Sequence, residues 1–154
     1  MNYAKSYIDN YREYAAAVAT AKAARQEAED EYNDHSITKT TFEGKLEKIL
    51  ERTPKELDYF QKENKIITDF ETAYAAWIAP DGSKIDEADL KVLNPTFITS
   101  TADLQHLADK HNANPTMAKA IRKYAEEKGF NVRTLDVDAP LKAMNTLRLF
   151  AQKA

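Results

Sequence analysis

Cysteine is absent from the 154-residue sequence, and glycine and proline are scarce, with three and five residues. A chain without thiols forms no disulfide, no thiolate metal site and no iron–sulfur cluster, and it offers no cysteine nucleophile. This composition fits a cytosolic protein. Within residues 1–79 the only glycine is Gly44 and the only proline is Pro54, so little interrupts long helices there.

Long apolar runs are also missing. No segment approaches the roughly 18 residues that span a bilayer, and the N-terminus lacks the basic and then apolar pattern of a signal peptide. We therefore expect a cytoplasmic protein without a membrane partner. The net charge of −3 is small, and neither half of the chain carries the excess of one sign that favours nucleic acid or an acidic membrane.

An apolar residue recurs at every third or fourth position through residues 1–79, which predicts amphipathic helices, the first over about 2–32. Such a helix is about 45 Å long, whereas a compact chain of this length has a diameter of roughly 38 Å. We therefore predict an all-α fold with an elongated helical hairpin or coiled-coil stalk over 1–79 and a small helical bundle over 84–154. Either the stalk protrudes or a second subunit completes it.

The stalk is expected to reverse at residues 33–41, whose polar side chains compete with helical hydrogen bonds. Thr40 or Thr41 then caps a second helix. A capping box over 53–56 restarts or kinks the chain, and a third helix runs to about Ile78. The facing residues form a seam that either closes within one chain or binds a partner. This predicted seam consists of Tyr7, Tyr11, Tyr14, Leu57, Phe60, Ile67 and Tyr74.

Residues 79–83 contain a proline and a glycine and are the expected boundary between the two parts. Beyond them we predict a short helix over 86–93, a helix over 101–111, a helix over 115–128 and a last helix after Pro140. Local signals support these bounds. They are a capping box of Ser100 with Asp103, a proline at the first helical position at Pro115 and a glycine C-cap at Gly129.

Two parts of the sequence suggest a metal site. The segment 81–89 resembles half of a calcium-binding EF-hand loop, but the first two ligand positions would be Trp77 and Ala79, which have no carboxylate. His106 and His111 are five residues apart, so a helix places them on different sides. We expect these histidines, with Asp103 and Asp109, to be ordinary exposed polar residues, and we predict no metal, no cofactor and no catalytic group.

A helix–connection–helix pattern over 104–128 raises the possibility of DNA binding, because Lys119, Arg122 and Lys123 recur at helical spacing. The connection over 111–115 is longer than the tight turn of a helix-turn-helix motif and contains no glycine. Two glutamates at 126 and 127 dilute the positive charge. Nucleic acid is therefore an unfavoured partner.

Residues 101–128 resemble a pattern found in small helical proteins of phages that infect Gram-positive bacteria. The shared features are Leu104, Leu107, Ala108 and Lys110, then a polar link, Thr116-Met117 and a helix that ends near Tyr124-Ala125. The resemblance covers about 30 residues and defines no active-site residue. It implies a role in virion morphogenesis or another phage accessory role.

We expect a non-enzymatic, self-associating structural or assembly protein of phage origin, whose seam is completed by another copy. The alternative is a phage-encoded protein that binds and inhibits a host protein, through the exposed tyrosines or the helix around 117–128. A third hypothesis is a DNA-binding accessory protein that uses Lys119, Arg122 and Lys123. The expected partners are thus a second copy, or another phage or host protein. The expected location is the host cytoplasm, with virion association for an assembly role.

Overall fold

The computed structural model describes residues 2–153 and is all-α, with no strand in that range. The helices are α1 (Tyr3–Asn33), α2 (Lys39–Arg52), α3 (Glu56–Ile78), α4 (Glu87–Val92), α5 (Thr101–Lys110), α6 (Pro115–Lys128) and α7 (Ala139–Lys153), with a 3₁₀ turn at Gly82–Lys84. None of these described helices has the length and apolar character needed to cross a bilayer. The predicted all-α class is therefore confirmed.

The described chain divides into two compact units. The hairpin unit comprises the chain up to Phe70 together with the segment from Met144 onward, and the bundle unit comprises Glu71–Ala143. This division differs from the boundary expected at 79–83, because the chain on both sides of that break bonds to α6. Lys119 Nζ donates to the carbonyl of Ile78 at 2.5 Å, and the amide of Asp81 donates to Thr116 Oγ1 at 3.3 Å.

In the hairpin unit, α1 runs forward and α2 and α3 return antiparallel to it. Near the reversal, Tyr32 stacks on Phe42 with ring centroids 4.8 Å apart, and Lys45 pairs with Glu31. The turn contains His35 at φ 68°, in the left-handed region that residues with a Cβ rarely adopt. The predicted reversal is confirmed, but α2 begins earlier than expected, since Thr38 is its N-cap rather than Thr40 or Thr41.

The break between α2 and α3 does not contain the predicted capping box. Thr53 ends α2 as its C-cap, and its hydroxyl donates to the carbonyl of Ile49 at 2.7 Å, so that side chain serves the helix before it. Pro54 follows at once, and α3 begins at Glu56. Proline has no amide hydrogen to donate and disfavours helical backbone in the residue before it, which separates the two helices.

The bundle unit contains a compact apolar core. Its fully enclosed side chains come from the loop before α5 and from α5 and α6, and partly buried side chains surround them. The buried members are Ile98, Leu104, Leu107, Ala108, Ile121 and Ala125, and the partly buried members are Val92, Leu93, Tyr124, Phe130 and Val132. The predicted end signals of α5 and α6 are present: the Ser100–Asp103 box, Pro115 at the first helical position, and Gly129 at φ 71°.

Candidate functional site

The tyrosines of α1 contact α3 within the hairpin unit. Tyr14 stacks on Tyr59 with centroids 4.5 Å apart and planes 17° from parallel, and Tyr3 meets Phe70 edge to face at 6.0 Å. Between these two contacts, the Tyr7 hydroxyl donates a hydrogen bond to Glu63. Tyr7 is only 3% exposed, so this part of the seam closes within one chain.

The Tyr7–Glu63 pair is a polar contact inside an otherwise aromatic seam. Burial of the phenol is the main reason that the pKa of Tyr7 is raised well above its ordinary value of 10, and the hydrogen bond and negative charge of Glu63 add to the effect. The neutral phenol donates to the carboxylate, which satisfies the buried hydroxyl.

Two α3 residues of the predicted seam, Leu57 and Phe60, do not close it within one chain, so for them the partner alternative stays a prediction. Leu57 is 63% exposed and Phe60 is 45% exposed, while the positions that contact α1 are Tyr59, Glu63 and Phe70. Apolar residues lie on more than one side of α3, so the pattern alone allows two orientations of this helix against α1. Hydrophobicity favoured the side with Leu57 and Phe60 over the side with Glu63.

The other members of the predicted seam lie in different surroundings. Ile67 is half-buried. Tyr74 lies in the bundle unit, where its hydroxyl donates to the carbonyl of Val137 at 3.0 Å. Tyr11 and Tyr14 are half-buried and still border open space, so they belong to a different feature of the hairpin unit.

That feature is an open groove of about 600 Å³, here called the aromatic groove. It lies between α1 and α3 beside the end of α7, and its lining is mostly aromatic and small apolar. The lining residues are Tyr11, Tyr14, Ala15, Val18, Ala19, Tyr59, Phe60, Glu63, Ala151 and Gln152. Phe60 therefore faces solvent at the edge of a groove, one helical turn from the exposed Leu57.

The hairpin unit buries little apolar surface. Among its described residues the buried hydrophobic side chains are Tyr7, Ala28, Phe70 and Met144, whereas its exposed large hydrophobic residues are Val18, Tyr32, Leu50, Leu57, Phe60, Leu149 and Phe150. The bundle unit shows the opposite balance, with nine buried hydrophobic residues and four exposed large ones among those described. Apolar surface of this extent on one unit is typical of interaction sites.

The three basic residues considered for DNA binding do not form a free patch on α6. Lys119 Nζ donates to the carbonyl of Ile78, and Arg122 donates to Thr134 Oγ1 at 3.3 Å and to the carbonyl of Leu135 at 2.9 Å. Lys123 is exposed and lies 4.0 Å from Glu127. Two of the three cations thus hold the bundle unit together.

His111 is not the exposed polar residue that the sequence predicted. It is 8% exposed, and its Nε2 lies 2.6 Å from Asp89 Oδ2. The Lys110 ammonium lies 2.6 Å from the same Asp89 oxygen and 3.8 Å from Asp86 Oδ2. Hydrogen bonding from Lys110 is the first cause, and that from His111 a lesser one, that keep the pKa of Asp89 below its ordinary value. The prediction failed because Asp89 lies 22 residues before His111.

The other residues of the metal hypothesis have the predicted exposure. His106, Asp103 and Asp109 are exposed. Asp103 accepts the capping bonds of α5, and Asp109 accepts from Gln105 Nε2 at 2.8 Å. In the segment compared with an EF-hand, Asp81 accepts from the amide and hydroxyl of Ser83. These carboxylates thus serve local turns and helix surfaces.

No family model, no curated protein and no solved structure matches this chain. The geometry of its own residues is therefore what supports a function.

Proposed function

We propose that the chain is a non-enzymatic assembly protein that associates with a second copy of itself through the hairpin unit. The observation that carries the proposal is the imbalance of apolar surface in that unit, where Leu50, Leu57 and Phe60 are exposed at 76%, 63% and 45%. A helical layer that leaves such residues in water gains stability when another apolar surface covers them.

A second copy suits this surface because it carries both halves of a contact. In a two-fold dimer the same patch meets itself, so it must present a protruding element and a recess together. Leu57 is exposed one helical turn from Phe60, which lies at the edge of the aromatic groove, and the groove offers about 600 Å³ of recess. Tyr11 and Tyr14 add phenol groups, which tolerate a partly hydrated interface.

The proposed phage origin and assembly role depend on the resemblance of residues 101–128 to small helical phage proteins. In that setting the surface would join copies of the chain during virion assembly. A phage or host protein of different sequence could occupy the same surface instead, and the experiment below separates these two occupants.

The test is the mass of the full chain in solution, measured by light scattering at tens of micromolar. We expect a dimer or larger oligomer for the unaltered protein and a monomer for Phe60→Glu, because a charge placed at the groove edge would be buried without a partner. Phe97→Glu is the matched control, since Phe97 is 61% exposed but lies in the bundle unit.

A monomeric unaltered protein would reject self-association. In that case, purification from lysate of a phage-infected host, with Phe60→Glu as the comparison, would distinguish a heterologous partner from none. Equal loss of association in the Phe60→Glu and Phe97→Glu proteins would also reject the assigned surface.

A further inference from the structure

Three metal-ligating side chains converge in the bundle unit outside the proposed interaction surface. Asp86, Asp89 and His111 each offer one ligand atom, and these atoms lie within 4.8 Å of one another. We propose that they bind a divalent first-row transition metal ion of the Zn²⁺ class, which takes the place of the Lys110 ammonium group.

The backbone positions of these residues are fixed by helix ends. Asp86 is the N-cap of α4, and its Oδ1 accepts the amide of Asp89 at 3.0 Å, which leaves Oδ2 on the side of Lys110. His111 is the C-cap of α5, with its amide bonded to the carbonyls of Leu107 and Ala108. A site held by such caps loses little conformational freedom when an ion binds.

The distances suit a tetrahedral ion with small side-chain rotations. Metal–ligand bonds of about 2.0–2.1 Å place the ligand atoms of a tetrahedral zinc site about 3.3 Å apart. The His111 Nε2 to Asp89 Oδ2 distance is 2.6 Å, and all three ligand atoms fall within 4.8 Å, which brackets that value. Water would fill the fourth position, as it does in zinc sites with three protein ligands.

The donor set selects the class of ion. Calcium and magnesium take oxygen ligands, whereas an imidazole nitrogen together with carboxylates suits zinc and its neighbours. The His111 and Asp89 side chains are 9% and 14% exposed, and the Asp86 side chain is 36% exposed, so Asp86 is the ligand nearest to solvent. This ligand set differs from that of an EF-hand, because His111 comes from α5.

Lys110 marks the point where positive charge is stabilised. Its ammonium lies 2.6 Å from Asp89 Oδ2 and 3.8 Å from Asp86 Oδ2, where a bound cation would contact the same oxygens. The Lys110 side chain is 55% exposed and can move into water, whereas the Asp89 side chain with which it pairs is 14% exposed. A divalent ion would therefore compete with a monovalent ammonium group that can leave the site for solvent.

The experiment is calorimetric titration of the metal-free full chain with ZnCl₂ at neutral pH. We expect saturable one-to-one binding, which Lys110→Met strengthens by about tenfold because the competing cation is gone. His111→Gln and Asp86→Asn should each lose the saturable heat. His106→Gln is the matched control, since His106 lies exposed on the same helix and should leave binding unchanged.

The Asp86→Asn variant separates loss of a ligand from loss of the fold. Asparagine is an equally good N-cap and Asp86 is only half-buried, so we expect this variant to stay folded even if His111→Gln unfolds. The proposal is overturned if neither the unaltered chain nor Lys110→Met shows saturable binding up to about 1 mM Zn²⁺. It is equally overturned if His106→Gln reduces binding as much as Asp86→Asn. Neither result bears on self-association of the hairpin unit.

Discussion

The buried phenol of Tyr7 donates a hydrogen bond to the carboxylate of Glu63 in the centre of the α1–α3 contact. Because Tyr7 is buried, its hydroxyl depends on Glu63 for a hydrogen bond, whereas the half-buried Glu63 also borders the aromatic groove. Replacing Tyr7 by phenylalanine keeps the ring and its packing but leaves Glu63 without that donor.

We expect Tyr7→Phe to lower the free energy of unfolding by about 1 kcal/mol, the usual contribution of one hydrogen bond. The pKa of Tyr7 is raised in the folded state, so its stabilising contribution is complete below pH 10 and declines as the pH rises above it. Urea unfolding at pH 8 and at higher pH measures both effects. A variant with the same alkaline loss as the unaltered chain would contradict this assignment.

His35 has a φ of 68° in the turn between α1 and α2. A residue with a Cβ loses about 1 kcal/mol in this conformation relative to glycine. We therefore expect His35→Gly to raise stability by about 0.5–1 kcal/mol in thermal unfolding. Gly129→Ala is the opposite control, because Gly129 has a φ of 71° and open space around its Cα, so alanine there should destabilise through backbone strain alone.

At the scale of the helices, the capping box of α5 makes a separate prediction. Asp103 Oδ2 accepts from the amides of Ser100 and Thr99 at 2.9 and 3.0 Å, and Ser100 Oγ accepts from the Asp103 amide at 3.2 Å. Ser100→Ala should cost about 1 kcal/mol of stability, as N-cap losses do. Thermal unfolding of the two proteins at neutral pH measures this difference.

The same box gives a pH dependence in the acid range. The Ser100 and Thr99 side chains and amides hold the pKa of Asp103 below its ordinary value, so its contribution is present above that value and is lost as the pH falls. Asp103→Asn should therefore show a shallower loss of stability on acidification than the unaltered chain. An unchanged acid slope would contradict this role of Asp103.

The ends of α5 and α6 were predictable from sequence because their signals are local. Ser100, Pro115 and Gly129 act on the backbone within a few residues, and each was found where expected. The side of α3 that contacts α1 was not predictable, because it depends on the long-range pairing of Glu63 with Tyr7. The predicted exposure of His111 was wrong for the same reason, since its burial depends on Asp89 of another helix.

For the molecule in solution, self-association makes stability depend on protein concentration. If only the folded chain dimerises, dilution removes part of its stabilisation, and each tenfold change in concentration changes apparent stability by up to about 1.4 kcal/mol. We therefore expect the melting temperature to rise with concentration for the unaltered chain. Differential scanning calorimetry over a tenfold range measures this.

The matched comparison is Phe60→Glu, which should melt at one temperature across the same range. Phe97→Glu should retain the concentration dependence, because Phe97 belongs to the bundle unit. A concentration-independent melting temperature in the unaltered chain would contradict dimerisation by mass action.

The antiparallel pairs of the hairpin are nested around a single turn, and this arrangement has a consequence for folding kinetics. Glu31 and Lys45 are 14 residues apart in the chain, whereas Tyr7 and Glu63 are 56 apart. Because the entropy lost on loop closure increases with loop length, contacts near the turn are the least costly to form first. The hairpin can therefore nucleate beside His35 and propagate outward, so that the Tyr3–Phe70 contact forms late.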